Sequence, residues 1–454
     1  MKTALLTATM IATLSTALPA ATPQPPYGQA ALQPVVETAG PALQFDWPMI
    51  RIGSAQYREG PTGVTVFRFG KKVMGAVDVR GGGPGTVNTD YLRLGYETPD
   101  LDAVVFSGGS WYGLESTTAV DTALKDDGIR GGKWDDIGLA VGAIVYDFGP
   151  RRLNEIYPDK ALAQAAYRAA QPGVFRLGAA GAGRFTETGD FFGCKAHSGQ
   201  GGAFRQIGDL KIAAFTVVNA IGVITRRDGG IAACYPAANW PADLKVPDLM
   251  NSLPESRKPD WAGAKRNTTV SLIVVNQKLP VSELQRLATQ VHTSMARGIQ
   301  PFATMFDGDV LYAVSTEEID PPAKGGISSP ELGAIASEVM WDAVLASVPP
   351  QPPVVPAADA PPAGDPGRFA GSYVFSPFAS LKVSVAGGRL MARATGQRDV
   401  YDIGRMADTE LKPTVEAGSY TVPGRYPLVL RFDREGTLTI NPGPWQQVSG
   451  KRAR

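Results

Sequence analysis

The proline run between Pro349 and Pro366 limits what this chain can fold into more than any other feature. Pro349, Pro350, Pro352, Pro353, Pro356, Pro361, Pro362 and Pro366 fall within it. Each fixes φ and removes a backbone donor, so helix and sheet are both excluded and a stiff, extended linker is expected over 349–367. A chain of 454 residues divided in this way must hold a separate foldable part on each side.

Ahead of the linker, from about Phe45 to Val348, short β-branched runs alternate with helical patterns. Gly63–Phe69, Ala103–Phe106 and Ile212–Val218 read as buried strands. Leu284, Leu287, Ala288, Val291 and Met295 recur at helical spacing over Ser282–Arg297. Ser329-Pro330-Glu331 reads as an N-cap with Pro in the first turn, opening a helix that carries Leu332, Ile335, Val339 and Ala343 on one face. This predicts a mixed α/β core over 45–348. Beyond the linker, residues 368–454 alternate in strand fashion at Leu381–Val385, Leu428–Phe432 and Thr437–Ile440, with turn signals at Gly387-Gly388 and Asp433–Gly436. A separate small all-β barrel or sandwich is expected there. Gly371-Ser372-Tyr373 with Phe432-Asp433 and Gly436 resembles small lipocalin-like β domains appended to secreted hydrolases.

The N-terminus has Lys2, a short apolar run to Leu14 and then Ala17-Leu18-Pro19-Ala20. It reads as a secretory signal over 1–20, followed by an extended leader over 21–44, and predicts a periplasmic or secreted protein. No other stretch reaches the ~18 apolar residues of a membrane span. In an oxidising compartment Cys194 and Cys234 could pair, or they could be two buried thiols; spacing leaves both open.

Charge excludes a nucleic-acid partner: 44 Lys+Arg against 43 Asp+Glu gives +1. The 2 His and 2 Cys, with neither C-x-x-C nor H-E-x-x-H spacing, disfavour a metal site, and no cofactor is expected. A Ser-His-Asp triad would have to use His197 or His292, and neither lies in a triad context. The composition favours chemistry that does without imidazole.

At Asn267-Thr268 the polar, turn-like stretch Pro254–Asp260 gives way to an apolar strand, Thr268–Val275. By itself this is a loop entering a buried strand. Its ordered company is more specific: Asn267-Thr268-Thr269, Gln290–Phe302, Asp307-Gly308-Asp309, Thr316–Asp320 and Leu332–Val344, with Gly60–Val66, Asp78–Gly82, Ser107–Ser110, Ile144–Phe148, Tyr157–Leu162 and Gly181–Gly183 upstream. Over roughly 45–347 the chain resembles the N-terminal-nucleophile-like hydrolases that include the L-aminopeptidase/D-esterases, the β-aminopeptidases and the nylon-oligomer (6-aminohexanoate oligomer) endo-hydrolases. The nylon-oligomer branch is the nearest.

The resemblance implies a four-layer αββα sandwich and a precursor that cuts itself between Asn267 and Thr268, giving an α chain to 267 and a β chain from 268. Such αβ units commonly assemble into homo-oligomers. Thr268 would be the acyl-forming nucleophile. Its freed α-amine, of ordinary pKa ~7.7–8, would serve as the base, so no histidine is needed. Asp307 and Asp309, otherwise a turn, match the acidic pair that orients the Thr. Asn219, otherwise a strand-end residue, matches an oxyanion donor, and Tyr146, otherwise a half-buried aromatic, matches a pocket residue. The family's supporting Lys falls in a Gly-Lys pair, but here Gly189 precedes Asp190. Lys195, in Cys194-Lys195-Ala196-His197, is the candidate for that role, or it tunes substrate choice. The expected function is an exported amidase on 6-aminohexanoate oligomers. A β-aminopeptidase or L-aminopeptidase/D-esterase is the alternative, disfavoured because those branches use Ser with a Ser-x-Glu pair. A non-catalytic binding protein on the same scaffold is disfavoured by the retained Thr268 and both Asp residues.

Overall fold

The computed structural model describes residues 29–36, 39–93, 96–251, 267–321, 326–358, 365–422, 424, 426–441 and 448–453. The signal sequence expected over 1–20 and the polar stretch Pro254–Asp260 lie outside the described residues. The chain divides into two compact units, Met1–Gln33 and Pro34–Arg454. The described part of the first holds one turn of 3₁₀ helix, Gln29–Ala31.

In the second unit the chain forms β1 (Ile50–Gln56), β2 (Gly63–Val79), β3 (Asp100–Ser107), α1 (Glu115–Asp126), β4 (Ala140–Ile144) and α2 (Lys160–Arg168). There follow β5 (Gln200–Ile207), β6 (Leu210–Val217), β7 (Val270–Gln277), α3 (Val281–Ser294), β8 (Val310–Ile319) and α4 (Ser329–Ala346). The strands order as β5-β6-β7-β8-β2-β3-β4, with β1 also on β2. β7 runs parallel to β8 and β3 parallel to β4, and the other pairs are antiparallel.

The long β2 joins the halves, pairing with β1 through Gly63–Phe69 and with β8 through Met74–Val79. Side-chain alternation then builds two cores. Ala213, Phe215 and Val217 of β6 with Val270, Leu272 and Val274 of β7 meet Phe67, Val104 and Phe106 from the other half. The rings of Phe67 and Phe215 lie 5.0 Å apart. The opposite faces, Ile212, Ala214, Ile273 and Val275, pack on Leu284, Leu287 and Val291 of α3 and Leu332, Val339 and Met340 of α4. On the other half α2 packs on β1 and β2, and α1 on β3 and β4. Gly53 permits that approach: a Cβ there would fall 1.9 Å from the Ala166 carbonyl oxygen.

Several local readings shift. The strand expected from Thr268 begins at Val270, because Asn267 is held in an isolated bridge to Asp307. The cap of α4 is Ser328 rather than Ser329. Glu331 stands three residues after Ser328, and its carboxylate accepts from the Ser328 backbone N–H at 2.8 Å, completing a capping box. The helix expected over Ser282–Arg297 ends as α at Ser294 and finishes in a 3₁₀ turn. The leader is also put to use: Val35–Val36 pairs with β1, and Ala42–Gln44 with Val174–Arg176.

The C-terminal part closes into a barrel of β9 (Gly371–Ser376), β10 (Ala379–Ala386), β11 (Arg389–Ala394), β12 (Thr409–Pro413), β13 (Ser419–Val422), β14 (Leu428–Phe432), β15 (Thr437–Ile440) and β16 (Val448–Arg452). It is a barrel, not a sandwich, and closure removes the exposed edges. Residues 349–358 carry no helix or strand and hydrogen-bond to the core: the Gln351 side chain bridges the His197 N–H and C=O, and Tyr235 Oη donates to the Pro352 carbonyl. Among the described residues no helix is long and apolar enough to cross a membrane.

Candidate active site

Asn267 and Thr268 form the approach to β7, and Asp307 to Asp309 the approach to the parallel β8, so the sheet brings the two motifs side by side. Gly308 N–H donates to the Asn267 carbonyl oxygen at 2.9 Å, and Thr268 Oγ1 donates to that same oxygen at 2.7 Å. Thr268 N–H donates to the Asn219 carbonyl at 2.7 Å. The peptide bond between Asn267 and Thr268 is therefore gripped on its oxygen and on its nitrogen, with a hydroxyl beside it. Thr268 is 3% exposed.

The two carboxylates are buried and serve different backbones. Asp309 accepts from Thr269 N at 2.7 Å and from Ala303 N at 3.0 Å. Asp307 accepts from Thr304 Oγ1 at 2.7 Å, Thr304 N at 3.2 Å and Ile221 N at 3.4 Å. Neither is hydrogen-bonded to Thr268; Asp309 fixes the next residue at the approach to β7, and Asp307 fixes the turn before β8 and the segment that follows β6. Burial, and then the charge of Asp307, pushes Asp309 well above the usual carboxylate range. Burial also raises Asp307, against hydrogen bonds that favour its charged form.

Asn219 follows β6 and is fully buried. Its Nδ2 donates to the Tyr146 carbonyl at 2.8 Å and its Oδ1 accepts from Glu187 N at 3.1 Å, which leaves one amide N–H. Tyr146 thus reaches the site through its backbone. Its half-buried ring stands 6.3 Å from that of Phe148, and burial raises its phenol. Lys195 stands within electrostatic reach of Glu187, whose N–H holds Asn219. The lysine's ion-pair partner among the described residues is Asp190, at 3.8 Å, and it makes no hydrogen bond to Thr268. Burial works against its charge, but the carboxylates of Glu187, Asp190 and Asp402 outweigh burial and raise it. Cys194 and Cys234 are joined in a disulfide.

Both histidines have partners other than the nucleophile. His292 Nδ1 is 2.8 Å from Asp78 Oδ2, and His197 Nε2 is 2.6 Å from Tyr426 Oη. No cluster of His, Cys, Asp and Glu suited to a metal occurs among the described residues. A cavity of about 1010 Å³, lined by Leu177, Val348, Pro352, Val355 and Val429 among others, lies between core, linker and barrel; none of the candidate residues lines it.

Two participants escape sequence reasoning. Gly308 acts through its N–H, for which the Gly between two Asp is the one available signal. Glu187 acts through its backbone, for which there is none.

The model of peptidase family S58 matches residues 45–349. A 6-aminohexanoate-oligomer endohydrolase from Kocuria sp. is 42% identical over 323 residues, 69% of this chain and 88% of that protein. An uncharacterized aminopeptidase from Mycobacterium tuberculosis is 31% identical over 306 residues, 63% of this chain and 85% of its own length. Among solved structures, a β-aminopeptidase from Burkholderia sp. has a TM-score of 0.47 at 17% identity, covering 68% of this chain and 88% of that one. The chain belongs to peptidase family S58 and is a hydrolase of linear amides.

Proposed function

We propose that this is an exported, self-processing amidase that uses Thr268 as an N-terminal nucleophile on 6-aminohexanoate oligomers or closely similar aliphatic amides. The observation that carries it is the convergence of Thr268 Oγ1 and Gly308 N–H on the Asn267 carbonyl oxygen.

In the first stage Oγ1 attacks the Asn267 carbonyl carbon, and Gly308 N–H meets the charge that grows on the oxygen. The C–N bond breaks, the nitrogen takes up the hydroxyl proton, and an ester joins Asn267 to Thr268. Water hydrolyses the ester, freeing the Asn267 carboxylate and the Thr268 amine. In the second stage that amine takes the proton of Oγ1 as the hydroxyl attacks a substrate amide. The leaving amine departs protonated, and water releases the acyl group. The remaining Asn219 amide N–H is the proposed oxyanion donor, Tyr146 fixes that side chain through its carbonyl and offers its ring, beside Phe148, to the substrate, and Asp307 and Asp309 hold Thr268 in register. Lys195 supplies positive charge beside Glu187 and Asp190 rather than base catalysis. The substrate assignment rests on the 42% identity to the 6-aminohexanoate-oligomer endohydrolase.

We further propose that the folded-over sheet with α1 and α2 on one side and α3 and α4 on the other is the αββα sandwich. The hydrolase core would span 45–348, and the processed αβ units would associate. Hydrolysis of 6-aminohexanoate oligomers, set beside β-amino and α-amino peptides, tests the substrate. Turnover of the oligomers at least tenfold above either peptide class supports the proposal, and the reverse order transfers the chain to aminopeptidase chemistry.

A further inference from the structure

We infer that the C-terminal barrel is a positioning element for the candidate active site, acting through Arg398 on Asn219; the inference rests on the Thr268 reading above. The barrel docks on the loop of residues 146–156. Leu153 of that loop is fully buried and belongs to the barrel's own apolar core. From the barrel, Arg398 Nη1 donates to the Arg152 carbonyl at 3.2 Å, Arg398 Nη2 pairs with Glu155, and Tyr401 N–H donates to the Pro150 carbonyl at 3.1 Å.

The same loop holds Asn219 by two routes. Directly, the Tyr146 carbonyl accepts from Asn219 Nδ2. Indirectly, Arg151 Nη1 lies 3.1 Å from Glu187 Oε2, and Glu187 N–H donates to Asn219 Oδ1. Both ends of the Asn219 amide are thus set by neighbours of the segment the barrel grips, and the Asn219 carbonyl in turn holds Thr268 N. Arg152, 0% exposed, locks the base of the loop: its Nη1 is 3.1 Å from Asp147 Oδ1, and Asp147 accepts from Gly109 N at 2.9 Å and Thr62 Oγ1 at 2.6 Å. A loop tied down so fully transmits displacement rather than absorbing it. The matched family region ends at residue 349, so the barrel is an addition that has become part of the site's support.

The test is a double-mutant cycle on the full chain. Arg398→Ala should lower kcat about tenfold with KM within twofold and slow self-cleavage without blocking it. Arg398→Lys, which can still donate to the Arg152 carbonyl, should recover most of the loss. In an Asn219→Ala background Arg398→Ala should change kcat less than twofold, because its target is gone. An equal loss in both backgrounds, or no loss in the wild-type background, overturns the inference. If Arg398→Ala does not fold, Glu155→Gln enters the same cycle: a kcat loss of about threefold that vanishes beside Asn219→Ala supports the inference, and a loss that persists there overturns it. Should Thr268→Ala remain active, the nucleophile assignment fails instead, whatever the Arg398 result.

Discussion

Thr268 Oγ1 donates to the Asn267 carbonyl oxygen at 2.7 Å, which places the hydroxyl beside the one peptide bond whose cleavage would release its own amine. Self-cleavage and turnover would then share a single nucleophile. Thr268→Ala should run as one chain on a denaturing gel and lack amidase activity. Thr268→Ser should yield two fragments, the second beginning at residue 268 by N-terminal sequencing. A two-fragment Thr268→Ala would remove Thr268 from the mechanism.

Gly308→Ala should impair the site through space alone. A Cβ there would stand 2.7 Å from Thr268 Oγ1 and 2.8 Å from the Gly83 carbonyl oxygen, and the second neighbour is backbone that cannot swing away. Overpacking of this kind costs roughly 1–3 kcal/mol. A lowered melting temperature with self-cleavage slowed at least tenfold is expected, and wild-type cleavage kinetics would show that Thr268 does not need its present position.

The buried acidic pair gives a pH signature. Asp309 is raised by burial first and by the charge of Asp307 second, so its contribution to stability is fully present below the ordinary carboxylate range and is lost as pH rises through its elevated folded value. Asp309→Asn removes that titration but offers one acceptor oxygen to two N–H donors, Thr269 and Ala303. In acid the variant should therefore be the less stable protein by about 1–3 kcal/mol. The gap should narrow as pH rises above the carboxylate range. Melting temperatures of both proteins across pH check this, and a gap that widens with pH would mean that Asp309 is charged in the fold.

What the sequence disclosed and what it hid divide along physical lines. β7 was legible because it is buried on both faces, which requires the continuous apolar run Val270–Val275. The pairing of the Thr268 segment with Asp307–Asp309 was legible only through resemblance, since parallel neighbours leave no local signature. The strands Val35–Val36 and Ala42–Gln44 are too short to show a period. The support of Asn219 by Glu187 and Tyr146 runs through backbone atoms, which no residue pattern encodes. Lys195 was suggested by residue type alone, and its partners Asp190 and Glu187, brought in by the fold, are not legible from its local sequence.

The disulfide between Cys194 and Cys234 spans a sequence separation of 40 and pins the segment that carries Lys195. Closing a loop of that length is worth about 4 kcal/mol in the chain-entropy model. The paired variant Cys194→Ala/Cys234→Ala should melt well below the wild type, and reductant should lower the wild-type melting temperature while leaving the variant unchanged. Equal melting temperatures in oxidised and reduced wild type would show that the bond adds no stability.

Asn219→Ala separates the two reactions that Thr268 is proposed to perform. In self-cleavage the reacting carbonyl oxygen is held by Gly308 N–H, and the Asn219 side chain does not touch it. In substrate turnover the proposed oxyanion donor is the Asn219 amide, and one such donor contributes roughly 10²–10³ in kcat. The variant should therefore still cleave itself to completion, more slowly because Glu187 N–H and the Tyr146 carbonyl lose their partner, while kcat falls by about that factor. Self-cleavage followed on a denaturing gel and kcat on the purified fragments measure the two effects on one preparation. A fully processed variant with wild-type kcat would remove Asn219 from the oxyanion role. An unprocessed one would mean that its side chain, rather than its carbonyl alone, sets the Asn267-Thr268 bond.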